Sequence, residues 1–120
     1  MNISLASVFA DIPQQLPEEL CQTLFRNPTV RIERILSLGH QTPAGAWYDQ
    51  AESEWVILLQ GQARISFADA EPVDLKPGDY LLIPAHCKHR VDWTASDQVS
   101  IWLAVHALEP DPNVIQRAGD

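Results

Sequence analysis

The chain has 120 residues, of which 46% are hydrophobic, and its formal net charge is −8 at pH 7. This length allows one domain with one hydrophobic core, and the apolar fraction is high enough for that domain to fold alone. The acidic balance and the lack of a basic cluster argue against nucleic acids and anionic membranes as partners. No run approaches the roughly 20 apolar residues that span a bilayer.

The first 28 residues are expected to form an N-terminal arm with one short helix. Pro17 begins the helical segment, two acidic residues follow it at the positive end of the helix dipole, and Arg26 lies near the negative end. The first ten residues lack the basic start and the apolar stretch of a secretory signal, so we expect no signal peptide.

Residues 29–107 are predicted to form a β-barrel of seven or eight short strands. Turn residues recur every eight to twelve positions between runs rich in β-branched and aromatic residues, a spacing typical of a sandwich or barrel. The predicted strands are 30–38, 47–50, 54–60, 63–68, 73–75, 80–83, 88–94 and 99–106. Residues 108–120 are polar with two prolines, and we expect a loose tail.

A histidine on the apolar face of a strand is the most informative residue of the sequence. Strict alternation in the segment 88–94 puts His89, Val91 and Trp93 on one side and charged residues on the other. Imidazole is titratable near neutral pH and binds metals. An inward-facing His89 therefore indicates a functional site inside the barrel.

A carboxylate opens the most apolar strand. Glu54 shares a face with Val56 and Leu58, and the residues between them are equally apolar. We therefore expect this strand to be covered on both sides, by the barrel interior and by a second layer or a partner subunit. A carboxylate there is costly unless it is paired or bound to a metal. The alternative is a strand-end glutamate that reaches solvent or meets an arginine.

Two segments of the chain resemble the two motifs of the cupin superfamily. Glu54-x6-Gly61 matches the second half of the first motif, G-x5-H-x-H-x3–4-E-x6-G, and residues 78–93 resemble the second, G-x5-P-x-G-x2-H-x3-N. The sequence is particularly similar to small single-domain bacterial cupins with a WYDQ-x3-EWV core and a PAH-x2-HRV-x-W segment. The resemblance implies an all-β jelly-roll barrel, whose mouth in cupins usually holds a divalent metal on two or three histidines and one glutamate.

The histidines of the first motif are missing here. The spacing H-x-H-x4-E puts Trp47 and Asp49 at their positions, whereas the shorter spacing puts Tyr48 and Gln50 there. We favour the first register, in which Asp49 supplies an oxygen ligand. In the second motif His86 replaces a glycine; histidine tolerates a left-handed backbone better than most residues, so the turn is expected to survive.

The ligand set that remains consists of His89 and Glu54, with Asp49 and His86 as further metal ligands. Mixed imidazole and carboxylate ligands suit Mn, Fe, Zn or Ni. Four residues are expected to line the ligand pocket: Trp47, Tyr48, Gln50 and Trp93, the last of which replaces the final asparagine of the second motif.

The resemblance implies a small-molecule metalloenzyme, with a divalent metal at the barrel mouth acting on a small polar metabolite. The missing histidines favour an alternative, a non-catalytic module that binds or senses a small ligand in the same cavity. A metal-free pair of His89 and Glu54 in a dry cavity would also be able to do acid–base work.

Assembly and location follow from weaker signals. Strands that are apolar on both faces, together with the resemblance to small cupins, favour a homodimer. Cys21 and Cys87 lie far apart and outside a CxxC pair, which indicates free thiols and a cytoplasmic protein. In the last strand the face with Ile101 and Leu103 looks like core, so we expect His106 on the outside or at a subunit contact.

Overall fold

Two antiparallel sheets of eight strands make up the part of the chain that the computed structural model describes, residues 1–108. The predicted tail lies almost entirely outside these residues. The strands are β1 (Leu20–Arg26), β2 (Val30–Ser37), β3 (Glu52–Gln60), β4 (Ala63–Phe67), β5 (Ala70–Leu75), β6 (Tyr80–Ile83), β7 (His89–Thr94) and β8 (Ser100–Leu108). Their order is β1-β2-β8-β3-β6 in the larger sheet and β5-β4-β7 in the smaller one. The all-β prediction is confirmed.

The predicted N-terminal helix is wrong, because its residues form strand β1. Cys21 pairs with Ile35 and Gln22 with Arg34 in an antiparallel ladder with β2. The residues that favoured a helix, at the two ends of this segment, report only local preference. A helix this short is marginal without tertiary packing. The ladder supplies backbone partners that an isolated helix end would lack. No helix along residues 1–108 is long and apolar enough to cross a bilayer.

The hydrophobic core lies between the two sheets. Alternation in β3 directs Val56 and Leu58 inward, on the same face as Glu54, and the cross-strand partners on β8 bury their side chains beside them. The core cluster comprises Val56, Leu58, Ala63, Ile65, Leu75, Ile83, Trp102 and Ala104. These residues close the barrel at one end and leave the other end to polar side chains.

A buried arginine fastens the N-terminal arm to the outer face of the larger sheet. Arg34 is only 5% exposed. Its guanidinium donates to the carbonyl oxygens of Val8 at 3.0 Å and Ala10 at 2.6 Å, and its Nε donates to Gln22 Oε1 at 2.7 Å. Because β2 turns its alternate residues inward, the arm lies on the side of the sheet away from the barrel interior.

Candidate functional site

A cavity of about 240 Å³ lies between the two sheets at the polar end of the barrel. Its apolar wall consists of Ile35, Val56, Ile65, Ile83, Val91 and Trp102. Pockets for drug-sized ligands measure about 300 to 1,000 Å³, so this cavity fits a smaller metabolite. Its polar wall is made by residues of β1, β2, β3, β7 and β8 and of the loop before β3.

His89 and Glu54 meet inside this cavity from opposite sheets. His89 Nε2 lies 3.6 Å from Glu54 Oε1, and both side chains are nearly buried. His89 Nδ1 donates to the carbonyl oxygen of Cys87 at 2.8 Å, which directs Nε2 toward the carboxylate. Burial alone lowers the pKa of His89, but the contact with Glu54, the Cys87 carbonyl and the Glu54 charge outweigh it and raise the pKa above 6.5.

This raised pKa predicts that the fold is more stable at pH 6 than at pH 8. Since the folded-state pKa of His89 exceeds its unfolded value, the stabilisation is complete below pH 6.5 and is lost as the pH rises through the folded-state pKa. We expect urea unfolding in the presence of a chelator to give the higher free energy at pH 6. The Glu54→Gln variant should flatten this dependence. An unchanged pH dependence in Glu54→Gln would contradict the assignment.

The prediction for His106 is wrong, because this residue lies inside the cavity and is only 4% exposed. His106 Nε2 lies 3.0 Å from Glu33 Oε1, and Nδ1 has no hydrogen-bond partner within the described part of the chain. Both faces of β8 are apolar, so alternation did not reveal which face is buried. The structure shows that the interior face is the one that His106 shares with Trp102 and Ala104, which belong to the core.

Glu54 and His106 are direct cross-strand neighbours, since their Cα atoms are partners in the ladder between β3 and β8. This register brings the two imidazole–carboxylate pairs side by side. His89 reaches the group from the smaller sheet, whereas Glu54, His106 and Glu33 belong to the larger one. The cavity therefore contains two imidazole–carboxylate pairs that lie next to each other.

The segment that forms strand β1 adds an acidic group and a thiol group to the cavity, which the helix prediction did not anticipate. Glu19 and Cys21 line the cavity, and Glu19 accepts a hydrogen bond from Ser37 at 3.3 Å. Arg31 also lines it, but its guanidinium is already paired, at 3.5 Å with Glu33 and 3.2 Å with Glu52. No sequence pattern indicated Glu19 or Cys21 as cavity residues, because only the pairing of β1 with β2 carries them to the cavity.

Acidic neighbours also affect the two other titratable groups of the cavity wall. Burial, followed by the charges of Glu19 and Glu33, raises the pKa of the Cys21 thiol to about 11. Burial, followed by the charge of Glu19 and by Cys21, likewise raises the pKa of the Tyr48 hydroxyl. Both pKa values rise because burial and the negative charges nearby disfavour the anionic form of each group. Cys21 and Cys87 are free thiols.

The loop before β3 runs beside β7 and contributes Tyr48 and Gln50 to the cavity. Tyr48 and His89 exchange both backbone hydrogen bonds, at 2.7 and 3.1 Å, and their rings stack with centroids 5.5 Å apart. The Gln50 carbonyl accepts from the His86 amide at 2.7 Å. Alternation along this loop therefore turns Tyr48 and Gln50 inward, whereas the favoured register had assigned the ligand position to Asp49.

Asp49 and His86 pair with each other outside the cavity. Asp49 Oδ1 lies 2.9 Å from His86 Nδ1, and both side chains are exposed. His86 has the left-handed backbone that was expected, with φ of 61°. No group of three or more His, Cys, Asp or Glu side chains among residues 1–108 is arranged to hold a metal ion. The side chains of the four predicted ligands, in this arrangement, do not fit a metal centre.

Neither tryptophan expected in the ligand pocket lines the cavity. Trp47 lies in the loop and is 42% exposed. In β7 the pairing shifts between Arg64↔Trp93 and Ile65↔Val91, so one extra residue interrupts the alternation. After this bulge Thr94 points inward and Trp93 points outward. The strict alternation assumed from the sequence holds for His89 and Val91 but fails at Trp93.

Comparisons with known proteins agree with this architecture. The family model for the cupin domain matches residues 36–106. A solved structure from Ralstonia eutropha JMP134, described as a "putative mannose-6-phosphate isomerase", is 42% identical, with a TM-score of 0.85; the match covers 89% of this chain and 100% of that one. No curated protein matches the sequence.

More distant structures share the fold alone. A cupin superfamily protein from Desulfitobacterium hafniense DCB-2 is 23% identical with a TM-score of 0.68, over 82% of this chain and 84% of that one. An RmlC-like cupin with a double-stranded β-helix fold from Methanocaldococcus jannaschii is 18% identical with a TM-score of 0.63, over 82% and 87%. Because the family model spans more than half of the sequence and the sheets have this fold, the chain belongs to the cupin family.

Proposed function

We propose that this cupin is a small-molecule enzyme that transfers protons on a small polar metabolite held between its two sheets. One observation carries the proposal: the pairs His89–Glu54 and His106–Glu33 line the same cavity. Imidazole and carboxylate groups are the usual general acids and bases of enzymes. Their near-complete burial strengthens their mutual electrostatic effects and sets them apart from surface ion pairs.

The two pairs would supply both a general base and a general acid to a bound substrate. One carboxylate would accept a proton from the carbon next to a carbonyl group while a protonated imidazole donates a proton to the carbonyl oxygen, which gives an enediol. The carboxylic acid would then give its proton to the former carbonyl carbon as the neutral imidazole removes the proton of the neighbouring hydroxyl. The raised pKa of His89 increases the protonated fraction of this imidazole at any given pH, which suits the donor role. Both groups then regain their starting protonation, and exchange of the carried proton with solvent before it is returned to carbon would introduce deuterium from D₂O.

The description of the Ralstonia relative supports an isomerase. Interconversion of an aldose and a ketose removes a proton from one carbon and adds one to its neighbour, which is the chemistry that paired acids and bases perform. The relative is similar over its whole length, with 42% identity. We therefore propose an isomerase-type proton transfer at the carbon beside a carbonyl group as the reaction class.

A metal-dependent version of the enzyme, with Mn, Fe, Zn or Ni held by His89, Glu54, Asp49 and His86, is the competing proposal. Asp49 and His86 are exposed and are not among the residues that line the cavity, which supports the version that works through side chains alone. Elemental analysis of protein purified without a metal-affinity tag tests this point. A stoichiometric metal that disappears in His89→Ala would overturn the metal-free arrangement.

Isotope exchange tests the proposed proton transfer directly. The enzyme would be incubated in D₂O with mannose, mannosamine and mannose-6-phosphate, and NMR would follow replacement of C–H by C–D. We expect Glu54→Gln and His89→Asn each to slow exchange about 10²- to 10⁴-fold, the usual contribution of a general acid or base. The control is Asp74→Asn, which removes the carboxylate of an exposed pair with Arg64 on the smaller sheet.

Two outcomes of this experiment would contradict the proposal. The first is exchange that persists unchanged in both cavity variants, because the pairs would then have no chemical role. The second is saturable binding of a sugar with no exchange at all, which would support the alternative of a binding or sensing module. Loss of exchange in Asp74→Asn as well would point to a general loss of structure rather than to chemistry.

We also propose that the chain forms a homodimer through the outer face of β3 and β6. Tyr80 and Leu82 are 66% and 63% exposed, and β6 is the edge of the larger sheet. The Trp55 ring lies 5.5 Å from that of Tyr80, which extends the apolar patch. Light scattering of Leu82→Asp is expected to give a monomer. The control Leu5→Asp, in the exposed arm, should leave the dimer intact.

A further inference from the structure

The cavity is rich in hydrogen-bond acceptors and poor in free donors. Three carboxylates line it, from Glu19, Glu33 and Glu54. Gln50 Oε1 is a fourth acceptor, buried and without a hydrogen-bond partner in the described part of the chain. The one permanently cationic side chain among the described lining residues, Arg31, is paired with Glu33 and Glu52, and the imidazoles of His89 and His106 are already directed at Glu54 and Glu33. A ligand with hydrogen-bond donors therefore fits this cavity better than a ligand with hydrogen-bond acceptors.

These acceptors belong to a built cavity, which distinguishes them from an acidic surface patch. His106 lines the cavity and is only 4% exposed, and neither of its ring nitrogens makes a hydrogen bond among residues 1–108, although Nε2 lies 3.0 Å from Glu33 Oε1. Buried polar atoms are normally satisfied, so an unpaired one in a cavity wall points to a ligand. The wall also includes Trp102, an aromatic residue of the kind that attracts organic cations through its ring face, and Tyr48, whose ring stacks on that of His89.

We propose that the substrate of this cavity is a small organic cation with an ammonium group, and that the cavity excludes phosphorylated metabolites. The inference rests on the proposed function in one respect, that the substrate binds in this cavity. An ammonium group has three donors and no acceptor, and its charge complements the carboxylates. A phosphate monoester has the opposite properties, with acceptor oxygens and negative charge, and would meet Glu19, Glu33 and Glu54.

This substrate class differs from the one named for the Ralstonia relative, whose description refers to mannose-6-phosphate. Recognition of a phosphate usually requires arginine forks, lysines or a helix N-terminus. The described residues around this cavity include no helix and no arginine or lysine beyond Arg31. The raised pKa of the Cys21 thiol agrees with a negative environment, since burial and then Glu19 and Glu33 raise it.

Cys21 allows the charge preference to be measured without knowledge of the substrate. In a Cys87→Ser background, Cys21 is the remaining thiol of the chain, because the sequence has two cysteines. It would be treated at pH 8, with a chelator, with three methanethiosulfonate reagents that differ in charge: a trimethylammonium, a neutral methyl and a sulfonate reagent. Each rate is divided by the rate of the same reagent with free cysteine, which removes intrinsic reactivity.

We expect the ammonium reagent to modify Cys21 at least tenfold faster than the sulfonate reagent after this normalisation, with the neutral reagent between them. Glu33→Gln should reduce the ratio severalfold, and so should high salt, because both weaken the field. The matched control is Glu71→Gln, which removes an exposed carboxylate from β5 and should leave the ratio unchanged. A sulfonate rate equal to or above the ammonium rate would overturn the inference.

The isotope-exchange assay separates failure of this inference from failure of the proposed function. A charge preference at Cys21 without exchange on mannose, mannosamine or mannose-6-phosphate would leave the inference standing and contradict the proposed reaction. Exchange on mannose-6-phosphate in preference to mannosamine would support proton-transfer chemistry and overturn the inference. Preference for mannosamine over mannose-6-phosphate, lost in Glu33→Gln, would support both.

Discussion

Replacement of Gly61 by alanine is expected to destabilise the fold by roughly 3 kcal/mol or more, because it combines backbone strain with overpacking. Gly61 lies in the turn between β3 and β4 with φ of 93°, where a side chain is disfavoured. A Cβ atom there would also overlap the side chain of Ser100 and lie 2.7 Å from its Cα. Ser100 is completely buried in β8, so its backbone cannot move aside without disturbing the larger sheet.

A matched variant separates the two causes. Gly45 has φ of 80°, but an added Cβ atom would meet nothing within 4 Å. We therefore expect Gly45→Ala to cost about 1 kcal/mol, the backbone term alone. The double variant Gly61→Ala with Ser100→Gly should recover part of the loss, because it removes the side-chain overlap. Equal losses in urea unfolding for Gly61→Ala and Gly45→Ala would show that the approach of β8 is unimportant.

Replacement of Arg34 by alanine is expected to cost about 3 kcal/mol and to release the N-terminal arm. Arg34 is 5% exposed, and its guanidinium satisfies the carbonyl oxygens of Val8 and Ala10 as well as Gln22. Removal leaves these acceptors without their donor, which costs about 1–3 kcal/mol for each one that water does not reach. It also removes the packing of the arginine alkyl chain against the sheet.

Protease sensitivity and hydrogen exchange of the first eleven residues, measured beside urea unfolding, test this role. The control is Arg64→Ala, which breaks an exposed pair with Asp74 and should cost less than about 1 kcal/mol. Arg34→Met retains much of the alkyl chain and isolates the contribution of the hydrogen bonds. Similar losses for Arg34→Ala and Arg64→Ala, with the arm still protected, would mean that other contacts hold it.

Local patterns in the sequence were sufficient to predict the strands that face the core and which of their side chains point inward. Alternation in β3 predicted that Glu54 and Val56 share a face, and alternation in β7 predicted an inward His89. Two turns with positive φ, at Gly61 and His86, were likewise readable from the motif positions. These features depend on the period of the side chains and on backbone sterics, which each segment carries within itself.

Pairing between distant segments decided the rest. Strand β1 exists because β2 offers it a ladder, and this ladder carries Glu19 and Cys21 to the cavity. A bulge opposite β4 turned Trp93 outward, and the register with β3 set His106 beside Glu54.

The sequence alone therefore determined the all-β class, the strands with clear alternation and the inward orientation of the His89 and Glu54 side chains. The tertiary structure alone decided which apolar face of β8 is interior and which acids surround the imidazoles. The physical reason is that alternation assigns residues to two faces of a strand, whereas only a partner strand or sheet defines which face is buried.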